Sequence, residues 1–321
     1  MEWSSKAKNN FALLLRNFLN KYLSILIIKE GKMLDIILQL SINGLLMGGI
    51  YGLVAIGLCL IFGVLGVVNF AHGEFLMLGM YATYWLFHFF GIDPYISIII
   101  IVPVFFFIGM VVQRILIQPI LEASFLSQIF VTLGLSIVLQ NMALLVWKAD
   151  YRTIRVAYSS KMINIGNLLI NYPRLINFCL ALIAIFFLFI FLKNTFVGKA
   201  IRALSQERRA AMLIGININR IYQVAFGLGI ACVGIASAAL MPIYYAFPTV
   251  GTLFTLTAFV VVILGGYNSL IGSLIGGLII GLVESFSGYF IDPALKEVTY
   301  FVIFIIILLV KPNGLFGQKE N

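Results

Sequence analysis

Residues 43–81 read NGLLMGGIYGLVAIGLCLIFGVLGVVNFAHGEFLMLGMY. From Asn43 to Val68 the run carries no charged side chain, and then Asn69, His72 and Glu74 arrive together around Gly73. An apolar run of this length is a membrane-span candidate, because about 20 such residues cross a hydrocarbon core of about 30 Å. A charge at the centre of a spanning helix costs on the order of 2.5–3.5 kcal/mol on insertion scales. Three polar groups so close together therefore belong at a bend, a water-filled cavity or a helix–helix interface rather than against lipid. Two readings follow. His72 and Glu74 hydrogen-bond to a neighbouring helix and stabilise a broken segment, or they line a solute path together with Asn69 and Asn43. Metal binding ranks third, since only the distant His88 adds to the ligand set and no HxxH-type spacing exists.

Glycine is patterned along the same stretch. Gly44, Gly48, Gly49 and Gly52 stand at small-xxx-small spacing, as do Gly272, Gly276 and Gly277 further on. Such spacing lets helices approach closely in lipid, and packing is the expectation for most of them. Gly265-Gly266 followed by Tyr267-Asn268-Ser269 predicts a sharp reversal between two spans.

The whole chain agrees with this membrane reading. Its 321 residues are 62% hydrophobic and 10% charged, whereas a soluble domain has roughly a quarter of its residues charged. The net charge of +9 sits in gaps between apolar runs, as positive-inside loops require, so nucleic acid is not implied. Cys59, Cys179 and Cys232 stand singly in apolar segments and read as small hydrophobes. The expected fold is an all-α polytopic membrane protein with eight or nine crossings, some short or broken. Candidate spans are 35–62, 70–90, 95–117, 127–147, 175–192, 221–242, 252–264, 270–290 and 298–311.

Residues 1–32 form a basic N-terminal extension. Lys6, Lys8, Arg16, Lys21, Lys29 and Lys32 face only Glu2 and Glu30. Arg16, Asn17, Asn20, Lys21 and Ser24 fall on one arc, which predicts an interfacial amphipathic helix over 11–28. Met33, immediately before the first strong apolar run, is an equally good start. Residues 33–317 then make one transmembrane domain, followed by a polar tail, 318–321.

The stretch 193–221, KNTFVGKAIRALSQERRAAMLIGININRI, interrupts the apolar pattern with Lys193, Lys199, Arg202, Arg208, Arg209 and Arg220 against the single acid Glu207. It still has helical periodicity, with Ala203, Glu207, Ala210, Ala211 and Ile214 on one side and Gly215 as a stop. A plain connecting loop needs no such pattern, so it is read as a coupling loop that docks an energy-supplying protein. If it is cytoplasmic, four later crossings return the C-terminus to that side. Five earlier crossings put Leu34 and the loop 148–174 outside, although that loop carries Lys148, Arg152, Arg155, Lys161 and Arg174 against the positive-inside trend.

Thr132, Ser136 and Gln140 share a face of the span 127–147, with Asn141 beside them. They serve interhelical hydrogen bonding or line a solute route, and the same two readings apply to Glu284. The chain has no GxxxxGK[ST] phosphate loop. Nor does it hold a nucleophile, base and orienting group that assemble into a catalytic set. Energy for transport must then enter from outside the chain.

In these stretches the chain resembles the permease subunit of branched-chain amino acid ABC importers, the LivH type. The resemblance covers Met33 to Gly317. It rests first on the block 43–81 with NFAHGE, then on VTLGLSIVLQN at 131–141, IRALSQERRAAMLIGININRI at 201–221, AFVVVILGGYNSLIGSLIGGLIIGLVES at 258–285 and KPNGLFG at 311–317. The last part of the pattern is shared with the companion LivM-type permease and with urea and short-amide permeases. In importer permeases an EAA motif followed by three residues and Gly docks the ATPase; here Arg209-Ala210-Ala211-Met212-Leu213-Ile214-Gly215 has that spacing, with Arg209 in place of the acid.

The resemblance implies a multi-pass inner-membrane subunit without enzymatic activity that binds no cofactor itself. It also implies a second homologous permease, two cytoplasmic ATPases holding ATP and magnesium, and an extracytoplasmic solute-binding protein. The implied cargo is leucine, isoleucine, valine or related amino acids, with urea or short amides as the alternative. A rival from another class is a secondary transporter with His72 and Glu74 as a proton-coupling pair.

Overall fold

A computed structural model describes residues 2–311 and 314–317, with residues 2–32 described as backbone only. The side chains of the predicted amphipathic arc and the tail 318–321 lie outside the described residues. Among the described residues the regular structure is helical apart from one hairpin. In order, the helices are α1 (Glu2–Leu65), α2 (His72–Phe90), α3 (Pro94–Val112), α4 (Phe125–Trp147), α5 (Tyr172–Asn194), α6 (Phe196–Gln206), α7 (Arg208–Leu213), α8 (Ile218–Leu240), α9 (Val250–Gly265), α10 (Leu270–Phe290) and α11 (Lys296–Val310). The hairpin pairs β1 (Met162–Ile165) with β2 (Leu168–Asn171). It lies in the loop 148–174, where an all-helical reading left no strands.

The nine expected spans all appear as helices, but not all have full length. Six of them, including Met33–Leu65 of α1 and α3 extended to Ile120, are long and apolar enough to cross a membrane. The α2, α9 and α11 helices are shorter or more polar. The α10 helix runs antiparallel to α1, with Gly44 and Gly48 facing Gly281 and Gly277 in reverse order. Gln39 near the start of the apolar part of α1 exchanges hydrogen bonds with Leu169 of the hairpin. Phe62 near the other end of α1 packs on Tyr267, in the turn before α10. Arg202 and Ser205 of α6 line one cavity with Asn268 beside Tyr267, so the loop 148–174 sits at the end opposite α6, as crossing parity expects. Residues 314–317 return to the end that holds α6, where the Leu315 and Phe316 amides donate to the Leu264 and Gly265 carbonyls.

The centre of the molecule is α1 and α8, whose apolar windows are mostly buried, while α3, α4 and α5 form the rim. The rim helices turn large apolar side chains outward, among them Ile99, Phe107, Phe130, Leu145 and Phe187. With lipid as apolar as these side chains, close packing rather than the hydrophobic effect must join the helices. The glycine ridges supply it. A Cβ on Gly48 would lie 2.7 Å from the carbonyl oxygen of Gly277, and one on Gly44 would lie 2.8 Å from that of Gly281. The α10 glycines divide their work: Gly277 and Gly281 meet α1, whereas Gly272 and Gly276 meet α9 at Gly265 and Val261. The reversal at 265–269 is as expected, with Gly266 at φ 103° and the Ser269 hydroxyl accepting the Gly272 amide.

Polar clasps fix the end opposite α6 and α7. Asp93 caps α3 by accepting the Tyr95 amide and also accepts the Tyr158 hydroxyl at 2.6 Å. Burial, then the Asp93 carboxylate beside it, holds the Tyr158 phenol well above its ordinary pKa. Arg152 pairs its backbone with Ala246 and stacks over Tyr84 and Trp85.

Gly48→Leu is expected to destabilise the fold by about 1–3 kcal/mol or more, because the opposing backbone cannot yield as a side chain would. The measurement is the thermal midpoint of the detergent-solubilised protein. Gly288→Ala, whose Cβ would meet open space, should leave that midpoint unchanged.

Candidate functional site

The chain leaves helix geometry at Gly66, φ 71°, and resumes it at His72. This elbow is inside the span. His72 Nε2 bonds the Val54 carbonyl at 3.0 Å, and Val54 lies about 16 Å along α1 from Leu65 at 1.5 Å per residue. Buried backbone at such depth must find internal partners. Asn69 supplies one by accepting the Ala71 amide through Oδ1, and its own carbonyl accepts the His72 amide. Thr255 of α9 supplies another, its hydroxyl accepting the Gly73 amide at 2.9 Å.

The partner of the elbow is the start of α9. Gly73 and Gly251 lie backbone to backbone, and a Cβ on Gly73 would collide with the Gly251 carbonyl. Two helix N-termini thus meet within the span. Each brings the positive end of its dipole, and in α2 the first amides are already paired, Gly73 with the Thr255 hydroxyl and Glu74 with the Ala71 carbonyl. Glu74, in the first turn of α2, lies at this junction with no solvent exposure. Its Oε1 accepts from Ser136 Oγ at 3.2 Å, Gln140 Nε2 at 2.7 Å and Thr252 Oγ1 at 3.4 Å. Gln140 Nε2 also donates to Thr252 Oγ1 at 2.8 Å.

The polar face expected on α4 is thereby placed. Thr132 donates to the Val68 carbonyl of the elbow at 2.9 Å, and Ser136 and Gln140 hold Glu74. With α4 otherwise mostly exposed, this stripe and the stacking of Trp147 on Tyr81 tie it to the body. Asn141 instead bonds within its own helix to the Ile137 carbonyl. His72 points the other way from Glu74, toward α1, so the two do not form a pair. Asn43 lies about 16 Å further along α1 from Val54 and joins neither.

Glu284 belongs to a separate cluster. Tyr51 Oη donates to its Oε2 at 2.5 Å, and Lys296 Nζ lies 2.6 Å from its Oε1. This ion pair links α10 to α11. Sequence reasoning found Glu284 but missed Lys296, which shows only as the charge that opens the last apolar run. Thr252 and Thr255 were missed as well, because hydroxyls in an apolar helix give little signal until a carboxylate or a bare amide is placed against them.

The stretch 193–221 differs from expectation in one respect. The helix expected across Ala203–Ile214 is two helices, broken at Glu207. That residue has φ −150°, ψ 103°, and its carboxylate accepts the Arg209 amide at 3.1 Å, so it caps α7 instead of continuing α6. The α6 helix is anchored by buried Ala200, Ile201 and Leu204, leaving Arg202 exposed and Ala203 half-buried. In α7, Ala211 turns inward, while Glu207, Arg209, Ala210, Ile214 and Gly215 are exposed. The Leu213 side chain is 89% exposed and Ile214 74%. Gly215 ends α7 at φ 81°, with the Ile216 amide returning to the Ala211 carbonyl. The expected single face is therefore split: Ala211 packs on its own chain, and Leu213 replaces it outward.

Comparison with known proteins places this architecture. A family model described as branched-chain amino acid transport system, permease component, matches residues 40–310. The chain is 30% identical over 300 residues to the high-affinity branched-chain amino acid transport system permease protein BraD of Pseudomonas aeruginosa, covering 88% of this chain and 96% of the relative. The LivH permease protein of Salmonella typhimurium is 30% identical and that of Escherichia coli 29%, with the same coverage. No solved structure matches.

Gln140→Leu removes the shortest hydrogen bond to a buried carboxylate and is expected to cost about 1.5–3 kcal/mol. The check is thermal unfolding of the purified chain, in which Asn141→Leu should have a much smaller effect.

Proposed function

We propose, from the premise that the chain belongs to the family of branched-chain amino acid transport system permease components, that it carries leucine, isoleucine, valine or related amino acids into the cell. It does so beside a second permease subunit. The observation that carries the reading is the family match along 40–310, joined to an exposed apolar tip on α7 in a basic stretch. Two cytoplasmic ATPases supply the energy and hold the ATP and magnesium, and an extracytoplasmic binding protein delivers the solute. The α7 tip, Ala210, Leu213 and Ile214 flanked by Arg208 and Arg209, enters a cleft of one ATPase. Arg202 and Glu207 border it, and Gly215 shapes its exit.

The elbow and α4 line the solute path on this reading. Asn69, Glu74, Thr132, Ser136 and Gln140 are its polar groups, and Thr252 joins them. ATP binding favours one arrangement of the two ATPases, and α7 passes that preference to the permeases as a shift between outward- and inward-facing states.

Leu213→Asp with Ile214→Asp is expected to reduce copurification of the ATPases by about tenfold or more, since it puts charge into a desolvated contact, while membrane insertion persists. Reconstituted vesicles holding the whole assembly should take up labelled leucine and neither urea nor a control sugar. Urea uptake in place of leucine would overturn the substrate class.

A further inference from the structure

The Glu74 carboxylate has three neutral donors on one oxygen and none on the other. Its Oε2 is buried and has no hydrogen-bond partner. Among the described residues no Lys or Arg pairs with it; the ion pairs are Arg152–Asp150 and Lys296–Glu284. A carboxylate in low dielectric without a cation carries a desolvation cost that the donors on Oε1 and the two helix dipoles offset only in part. Beside it the first turn of α9 has no side-chain cap at Thr249. The Val250 amide donates to the Phe247 carbonyl, and the amides that follow it in the first turn have no partner inside the helix. Gln140 and Thr252, hydrogen-bonded to each other, reach Glu74 from its less buried side, Thr252 itself being exposed.

We propose that Glu74 receives the ammonium group of the transported amino acid and the first turn of α9 receives its carboxylate. The Gln140–Thr252 hydrogen bond is the latch that closes over the site when it is empty. An ammonium brings the missing positive charge and N–H donors for both carboxylate oxygens, which Gln140 and Thr252 cannot do from Oε1 alone. The substrate carboxylate finds the amides that follow Val250, at the positive end of a helix dipole. The junction is thus complementary to a zwitterion. The proposal rests on the amino-acid reading above and adds the contacts that recognise the backbone of the substrate.

The test uses the complete reconstituted assembly for uptake and the purified permease–ATPase complex for ligand-induced thermal stabilisation. The ligands are leucine and 4-methylpentanoate, which keeps the side chain and carboxylate but lacks the ammonium. Leucine at millimolar concentration is expected to raise the midpoint of the wild-type complex, and 4-methylpentanoate is not. Glu74→Gln should assemble, lose the leucine shift and take up leucine about thirtyfold more slowly, as expected for removal of one partner of a buried charge pair. Glu74→Asp should recover part of the shift. Equal stabilisation by both ligands, or a leucine shift retained in Glu74→Gln, overturns the proposal. So does the absence of a leucine shift in a wild-type complex whose vesicles do take up leucine. A Glu74→Gln chain that fails to assemble, with Glu74→Asp assembling and keeping no leucine shift, also overturns it by making the residue structural. Vesicles of the wild-type assembly that take up no leucine overturn the amino-acid reading itself.

Discussion

Hydrocarbon offers no hydrogen bonds, so a helix interrupted inside it must find a partner for each exposed amide or carbonyl within the protein. The break at 66–71 sets this requirement, and the surrounding elements answer it. Asn69 turns back on its own backbone, Thr255 of α9 takes the Gly73 amide, Thr132 of α4 takes the Val68 carbonyl, and Val54 of α1 takes His72. Each contact requires a particular helix at a particular distance. Bare glycine on both sides lets α2 and α9 come close enough for this.

Much of this was legible in the chain because it came as contrast. NFAHGE stands out against apolar surroundings, and steps of four bring Thr132, Ser136 and Gln140 onto one face whatever they bind. The glycine spacing gave the close helix approach but not the pairing. Nothing in Gly277 says that it will meet α1 while Gly276, its neighbour, meets α9; that follows from the roughly 100° between successive residues once both partners are in place. Tertiary partners of single hydroxyls, such as Thr252 and Thr255, leave no trace in periodicity. Lys296 is similar, since one charge at a helix start reads as a surface residue until Glu284 is seen within reach.

The stretch 193–221 misled for a local reason. Ala203 to Ile214 has unbroken helical periodicity, but Glu207 is an N-cap residue as well as a helix former, and its carboxylate competes for the Arg209 amide. Periodicity across such a residue predicts which side chains are small, not whether the backbone continues. The consequence reached Ala211, which turned inward, and Leu213, which turned out.

That break divides the stretch into two parts with different mechanical character. The α6 helix is clamped along its length by Ala200, Ile201 and Leu204, whereas α7 projects with its apolar tip in the open and is held mainly by its two ends and Ala211. A force applied at the tip acts at a distance from the clamp and so arrives as torque about Glu207. The chain leaves α7 through the sharp reversal at Gly215 and runs straight into α8, one of the two helices at the centre of the molecule. A small rocking of six residues at the surface therefore has a short route to the axis on which the rest of the bundle is packed.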